Sequence, residues 1–229
     1  MKRGSSNSTA TASASSLAHL RPRSIGYETR SRISSALPTV IRAFIAVSLD
    51  SKVIDKIADA SSQLKPQIAG VRWVAPVNFH LTLKFLGDID EALIEPIGAA
   101  LREHLRLFPR FTINAKGLGV FPGPKRPRVL WVGLTGDDLI LLASRVESAL
   151  QPLGFTHETR KFTPHLTIGR WRQSDQAPKP LGGELESWKV HDFGRSNVQG
   201  VRLIRSVLKP EGATYNDLIT VPLSTERCA

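Results

Sequence analysis

The sequence has almost no sulfur: one cysteine, Cys228, and one methionine, Met1. A lone cysteine can neither close an internal disulfide nor build a thiolate metal cluster, so a reducing, cytoplasmic setting is expected. No apolar run approaches the roughly 18 residues of a membrane-spanning helix, so no membrane role is expected. A Gly-rich phosphate loop, a His-Glu-x-x-His pair and a Cys pair are all missing, which removes the usual signatures of phosphate-loop and zinc enzymes. Acidic residues are also scarce. Twenty Asp and Glu stand against 31 Lys and Arg, a formal charge of +11. That balance suits an anionic partner such as RNA, a phosphorylated metabolite or a membrane surface, without choosing among them.

What remains is ordinary for a globular chain: 229 residues, 41% hydrophobic and 22% charged. This is enough for one sizeable domain, or for two small lobes sharing a core. Residues 1–39 differ in kind from residues 40–229. Gly4 to Ser16 is low-complexity, and the following stretch is rich in Arg and Ser. Six cations against Glu28 give the segment a charge of +5. Too few apolar residues are present to offset the entropy of ordering, so a disordered basic tail is expected. Three origins compete for it: a nucleic-acid-binding arm, an organelle transit peptide, or sequence translated from upstream of a true start near Val40.

From Val40 onward the pattern is regular. Ile41–Val47 reads as a buried strand, and Ser51 as the N-cap of a helix running to Leu64. Val71–Val74 and His80–Phe85 read as strands, the latter closed by Leu86-Gly87-Asp88. A helix over Glu91–Leu107 precedes a strand over Phe111–Lys116. Arg128–Leu134 is strand, Asp137–Leu153 helix, His165–Trp171 strand and Leu185–Trp188 a short helical turn. Gly200–Leu208 and Thr214–Leu223 pair around Pro210-Glu211-Gly212. The order specifies an α+β domain with largely antiparallel sheets. Its halves echo each other, as in an internal duplication: each has a helix, a loop, and then a His-Leu-Thr-aliphatic strand.

Those two strands carry the chemistry. Side chains alternate along a strand, so His80 and Thr82 share one face while Leu81 and Leu83 share the other. His165 and Thr167, backed by Leu166 and Ile168, repeat the arrangement. With six histidines and fourteen threonines in the chain, two His-x-Thr pairs would arise by accident roughly one time in twenty. Requiring apolar residues at both alternate positions lowers this to about one in several hundred. A single strand histidine is more often a packed residue than a catalyst, and threonine is simply a good strand former. The repeat is what tips the balance. Two imidazoles facing one substrate can serve as general base and general acid near neutral pH. Two hydroxyls can donate to phosphate oxygens. Two histidines without a neighbouring carboxylate are a thin zinc site, so no metal is expected. His19, His104, His157 and His191 have no companion threonine and are read as non-catalytic.

Several segments together resemble a known family. They are Arg42-Ala43-Phe44-Ile45-Ala46, Val71-Arg72-Trp73-Val74, Phe79-His80-Leu81-Thr82-Leu83-Lys84-Phe85-Leu86-Gly87, Gly117-Leu118-Gly119-Val120-Phe121-Pro122, Pro127-Arg128-Val129-Leu130-Trp131 and Phe162-Thr163-Pro164-His165-Leu166-Thr167-Ile168-Gly169-Arg170. They resemble the two-histidine phosphoesterase superfamily, and within it the RNA 2′,3′-cyclic phosphodiesterases, also called 2′-5′ RNA ligases. The resemblance implies two pseudo-symmetric lobes whose antiparallel sheets line a central basic cleft, with helices outside. It implies metal-independent, cofactor-free hydrolysis of RNA 2′,3′-cyclic phosphate ends to 2′-phosphomonoesters. His80 is then the proton donor to the 3′ oxygen and His165 the proton acceptor that activates water. Thr82 and Thr167 bind the phosphate, and Arg170 neutralises its charge; a solvated strand-end arginine is the plain alternative for Arg170. The expected partner is an RNA or oligonucleotide with a cyclic phosphate end, and the expected state is a monomer.

Phe85 and Trp171 are candidates for stacking a base, against core packing for each. Lys125, Arg126 and Arg128 are candidates for backbone contacts, against a merely solvated loop. A related 2′,5′-phosphodiesterase, a cyclic-nucleotide hydrolase, RNA ligation by reversal of the same chemistry, and a non-catalytic RNA-binding module are the competing functions.

Overall fold

The computed structural model describes residues 39–171, 181, 183–210 and 212–225. The expectation for the N-terminal tail (Thr39 apart) and the thiol of Cys228 lie outside the described residues. Among those described, nine strands and three α-helices follow the chain as β1 (Val40–Val47), α1 (Ser51–Leu64), β2 (Val71–Trp73), β3 (Leu81–Asp90), α2 (Ile94–Leu105), β4 (Phe111–Phe121), β5 (Val129–Thr135), α3 (Asp137–Leu150), β6 (His165–Trp171), β7 (Asp192–Val198), β8 (Gly200–Lys209) and β9 (Gly212–Pro222).

The strands form one sheet in the order β7-β4-β5-β6-β3-β1-β8-β9, with β2 added beside β6. Every pairing between them is antiparallel. The sheet therefore divides into two four-stranded halves that meet where β3 lies beside β6. The duplication read from the sequence is present in the topology: β1-α1-β3 on one side of the seam matches β5-α3-β6 on the other. The α+β architecture with two lobes and antiparallel sheets is thus what the chain builds.

One face of the curled sheet holds the main core. Ile41, Ala43, Ile45 and Val47 of β1, Leu81 of β3, Leu130 and Val132 of β5, and Leu166 and Ile168 of β6 pack there. Against them lie Val53, Ile57 and Leu64 of α1, Ile97, Leu101 and Leu105 of α2, and Leu139, Leu142, Val146 and Leu150 of α3. These helical positions recur every three to four residues, so each helix presents one apolar stripe to the sheet and the helices cover that face. The opposite, concave face carries a second, small cluster of Phe44, Ala46 and Ile204 with Tyr215 against it. From Ala43 to Val47, β1 is buried on both faces, which explains the unbroken apolar run there.

Several boundaries move relative to the sequence reading. The first helix is N-capped by Asp50 rather than Ser51, and the Asp50 carboxylate accepts from the Asn197 backbone N–H at 2.9 Å instead of closing the helix end. β3 does not stop at Gly87. It runs on to Asp90 because Gly87 adopts φ +74° at a bulge, where Leu86 is skipped between the pairs Phe44–Phe85 and Ala43–Gly87. Such a conformation is open to glycine and strained for most other residues. β4 likewise continues through Gly117, φ +73°, to Phe121. β7 has no counterpart in the sequence reading.

Candidate active site

The two His-x-Thr strands meet at the seam, where Leu81 pairs with Leu166. Both leucines are buried in the core, so the residues on either side of them project to the concave face. His80 directly precedes β3 and Thr82 lies within it; His165 opens β6 and Thr167 follows. All four are partly buried. Sequence alternation thus places both histidines and both threonines on one surface, as the spacing predicts.

The two half-sites share a detail that spacing does not reveal. In the first, Ala46 pairs with Thr82 and Ile45 with Lys84, skipping Leu83. In the second, Trp131 pairs with Thr167 and Leu130 with Gly169, skipping Ile168. The same bulge therefore occurs at the same place in both. It rotates the strand by one residue, so the side chain three positions beyond each threonine returns to the concave face. Arg170 occupies that position in the second half and Phe85 in the first. The alternation rule alone sends both to the core. Lys84 and Gly169, one residue earlier, go there instead.

Each imidazole is oriented by the backbone carbonyl two residues before it. His80 Nδ1 lies 2.7 Å from the Asn78 carbonyl oxygen, and His165 Nδ1 lies 2.7 Å from that of Thr163. Only a protonated Nδ1 can donate to a carbonyl, so Nε2 of each ring is left to exchange protons with a substrate. Asn78 is itself tied down, its Nδ2 donating to the Ala213 carbonyl on β9 at 2.8 Å. Aromatic rings pack around both histidines. His80 stacks on Phe44, ring centres 4.8 Å apart, and Phe121 meets the edge of His165 at 5.1 Å. Trp131 lies beside Phe121 and directly over Gly119, where any Cβ would overlap the indole.

Burial pushes His80 down to about 4; the Asn78 carbonyl opposes this, while the charges of Arg202 and Arg170 add to it. Burial also lowers His165, opposed by the Thr163 carbonyl and assisted by Arg170. Arg170 thus acts on both histidines, and its field also lowers the Tyr215 phenol, which burial raises. Arg202 on β8 is ion-paired with Asp217 on β9 at 2.7 Å, so Arg170 is the less compensated of the two cations. Together these groups can hold an anion between two neutral imidazoles.

The other sequence candidates divide. Phe85 is 67% exposed rather than packed, with Phe44 6.1 Å away as its aromatic neighbour. Trp171 is buried, and its indole N–H donates to the Ala69 carbonyl at 3.3 Å, so it serves the core. Lys125 and Arg126 are exposed in the loop between β4 and β5. His104 and His157 bond neighbouring carbonyls and His191 packs on Trp188, each without a threonine partner; His19 lies outside the described residues. Sequence reading missed Phe44, Asn78, Arg202 and Tyr215. Phe85 and Arg170 could have been matched by aligning the two motifs, but nothing local marks Tyr215. No three His, Cys, Asp or Glu side chains among the described residues gather as metal ligands, and no helix there is long and apolar enough to cross a membrane.

A duplicated antiparallel sheet that brings two His-x-Thr strands together on its concave face is the architecture of the two-histidine phosphoesterases. Comparison with known proteins narrows this. The family profile described as LigT-like phosphoesterase matches residues 47–131. An RNA 2′,3′-cyclic phosphodiesterase of Methanothermobacter thermautotrophicus is 37% identical over 181 residues, 78% of this chain and 96% of that protein. One of Aquifex aeolicus is 38% identical over 180 residues, covering 77% and 94%. The crystal structure of TT0787 of Thermus thermophilus superposes with a TM-score of 0.67 at 28% identity, covering 80% of this chain and 98% of that one. That of E. coli LigT complexed with 3′-AMP does so with 0.63 at 25%, covering 81% and 99%. The chain belongs to the LigT-like phosphoesterase family, together with these RNA 2′,3′-cyclic phosphodiesterases.

Proposed function

We propose that this protein hydrolyses RNA 2′,3′-cyclic phosphate ends to 2′-phosphomonoesters, without a metal or cofactor, by acid–base catalysis from His80 and His165. The observation that carries the reading is the matched pair of half-sites, each with Nδ1 anchored to a carbonyl and Nε2 left for the substrate. In-line displacement at phosphorus needs a base on one side and an acid on the other, and two facing imidazoles supply them.

His165 Nε2 takes a proton from water as the water oxygen attacks phosphorus. The P–O3′ bond breaks, and His80 gives its Nε2 proton to the departing O3′. The phosphate stays on O2′. Solvent exchange then returns His80 to its charged form and His165 to neutral. The choice of His80 as donor and His165 as acceptor follows the family resemblance. Thr82, Thr167 and Arg170 hold the non-bridging oxygens, where donors aimed at developing charge contribute most. Phe85 offers a ring to the terminal base. His80 must be protonated to act, yet its burial disfavours the charge. The phosphodiester anion corrects this on binding, because a neighbouring negative charge raises an imidazole pKa.

The proposed partner is an RNA or oligonucleotide end, handled by a monomer that carries both half-sites on one chain. The proposed cytoplasmic setting rests on the single cysteine. The test is hydrolysis of 2′,3′-cyclic AMP with the product resolved by chromatography. Undiminished turnover in EDTA and a 2′-AMP product are expected. A strict metal requirement, or turnover confined to 2′-5′-linked dinucleotides, would overturn the reading.

A further inference from the structure

Each imidazole of the site has an aromatic ring against its edge, and the two rings differ in one atom. Phe121 meets His165 with ring centres 5.1 Å apart and planes at 85°. Tyr215 meets His80 at 5.2 Å and 84°. The two contacts are nearly superposable in kind, so supporting the imidazole requires only a ring. Phe121 supplies it without a polar atom. Tyr215 adds a hydroxyl.

That hydroxyl has no hydrogen-bond partner among the described residues, and it is not among their buried, unsatisfied atoms. It is therefore open to the concave face rather than sealed in the protein. A phenol open to a cleft offers its hydrogen bond to whatever fills that cleft, water or ligand, which a phenylalanine in the same place could not do. Tyr215 comes from β9, the outermost strand of its half, yet it touches both Phe44 and His80 because the sheet curls. Arg170, from the other half, acts on the Tyr215 hydroxyl as well as on both histidines. The phenol, the guanidinium and the two imidazoles therefore border one space.

We propose that the Tyr215 hydroxyl is a substrate-contacting donor, giving its hydrogen bond to a phosphate oxygen on the His80 side of the cleft. This rests on the phosphodiester reading above. It adds a donor from β9 to the two threonines and Arg170, and it makes the half-sites unequal, since among the described residues the ring against the edge of His165 is Phe121, which has no hydroxyl. Burial holds the phenol protonated, so it donates throughout the range in which the histidines titrate.

Tyr215→Phe isolates the claim because it keeps the ring against His80 and Phe44 and removes one oxygen. Two quantities are read: kcat/KM on 2′,3′-cyclic AMP, and the Kd for 2′-AMP by calorimetry. Loss of one hydrogen bond to a charged group predicts a fall of roughly tenfold in each, with both limbs of the pH profile unmoved. Values within twofold of the wild type would overturn the proposal. So would a fall in kcat/KM accompanied by a shifted pH limb and unchanged 2′-AMP affinity, because the phenol would then be acting through His80. If the wild type failed to hydrolyse the cyclic nucleotide but bound 2′-AMP about tenfold more tightly than the variant, the contact would stand and the phosphodiesterase reading would fall. If the wild type neither hydrolysed the one nor bound the other, both would fall.

Discussion

Leu81 and Leu166 face each other across the pairing that joins the two halves of the sheet. Each is flanked by the histidine and threonine of its own motif, and each is buried almost completely. The two half-sites are thus registered against one another by two apolar side chains that take no part in the chemistry. Truncating either to alanine opens a cavity at the seam and is expected to cost about 2–5 kcal/mol. Chemical denaturation reads this directly; a cost under about 1 kcal/mol would show that the seam is held elsewhere.

His80→Ala and His165→Ala are each expected to lower turnover of 2′,3′-cyclic AMP at least about a hundredfold, the ordinary contribution of a positioned acid or base. Both side chains lie on the concave face, away from the main core, so folding should survive. Circular dichroism alongside the assay separates the two effects. Unchanged turnover in either variant would overturn the catalytic role given to that histidine.

The His80 titration gives a pH prediction with a definite sign. Its folded value, about 4, lies below the ordinary value of 6.5, so between these limits the unfolded chain binds the extra proton. Stability is therefore full above about pH 6.5 and is lost as pH falls towards 4, by up to about 3 kcal/mol from this group. Burial lowers His165 as well, which adds in the same direction. Proton NMR of the imidazole resonances should place His80 near 4 in the free protein. Added 2′-AMP should move it upward, because an anion favours the imidazolium. A free value near 6.5 would contradict the burial seen around the ring.

Arg170 disfavours the charged form of both histidines. Arg170→Gln should raise both imidazole titrations while weakening 2′-AMP binding, since the guanidinium's charge and its fork of donors are lost together. Opposite movements of pKa and affinity are the signature to look for. A solvated bystander would alter neither.

Lys84 turns away from the cleft at the first bulge and is buried against Glu147 of α3 at 2.6 Å, with a second bond to the Thr156 carbonyl at 2.8 Å. Lys84→Met leaves the Glu147 carboxylate buried without its partner and is expected to destabilise the fold by about 3–5 kcal/mol. Replacing both, as Lys84→Met with Glu147→Leu, should recover most of that loss. A double variant no better than the single one would mean that the bond to Thr156 matters more than the ion pair.

The sequence made the centre of the site legible and left its rim obscure. His80, Thr82, His165 and Thr167 obey simple alternation, which any strand enforces. Phe85 and Arg170 break that rule because each follows a bulge, and a bulge leaves no mark in a single strand. Arg170 is reached through resemblance, and Phe85, a stacking candidate with core packing as its alternative, is matched to it only by aligning the two motifs. β7 escapes notice because Asp192-Phe193-Gly194-Arg195-Ser196-Asn197-Val198 carries a glycine and polar residues where an edge strand can tolerate them. Ser196 is buried and donates no apolar signal; its hydroxyl accepts from the Asp50 N–H at 2.7 Å. Asn78 and Tyr215 depend on contacts to segments more than 130 residues away, beyond the reach of any local pattern.

The placement of β8 beside β1 bears on how the enzyme comes into being. The first half of the sheet borrows its two outer strands from the last part of the chain, and those strands bring Arg202, the carbonyl that anchors Asn78, and the ring against His80. During synthesis β1 and β3 emerge early but stay open along one edge until residues near 209 have left the ribosome. A nascent chain therefore carries both motifs well before it has a finished pocket for the first histidine. The first half-site is complete only once β8 and β9 have joined β1.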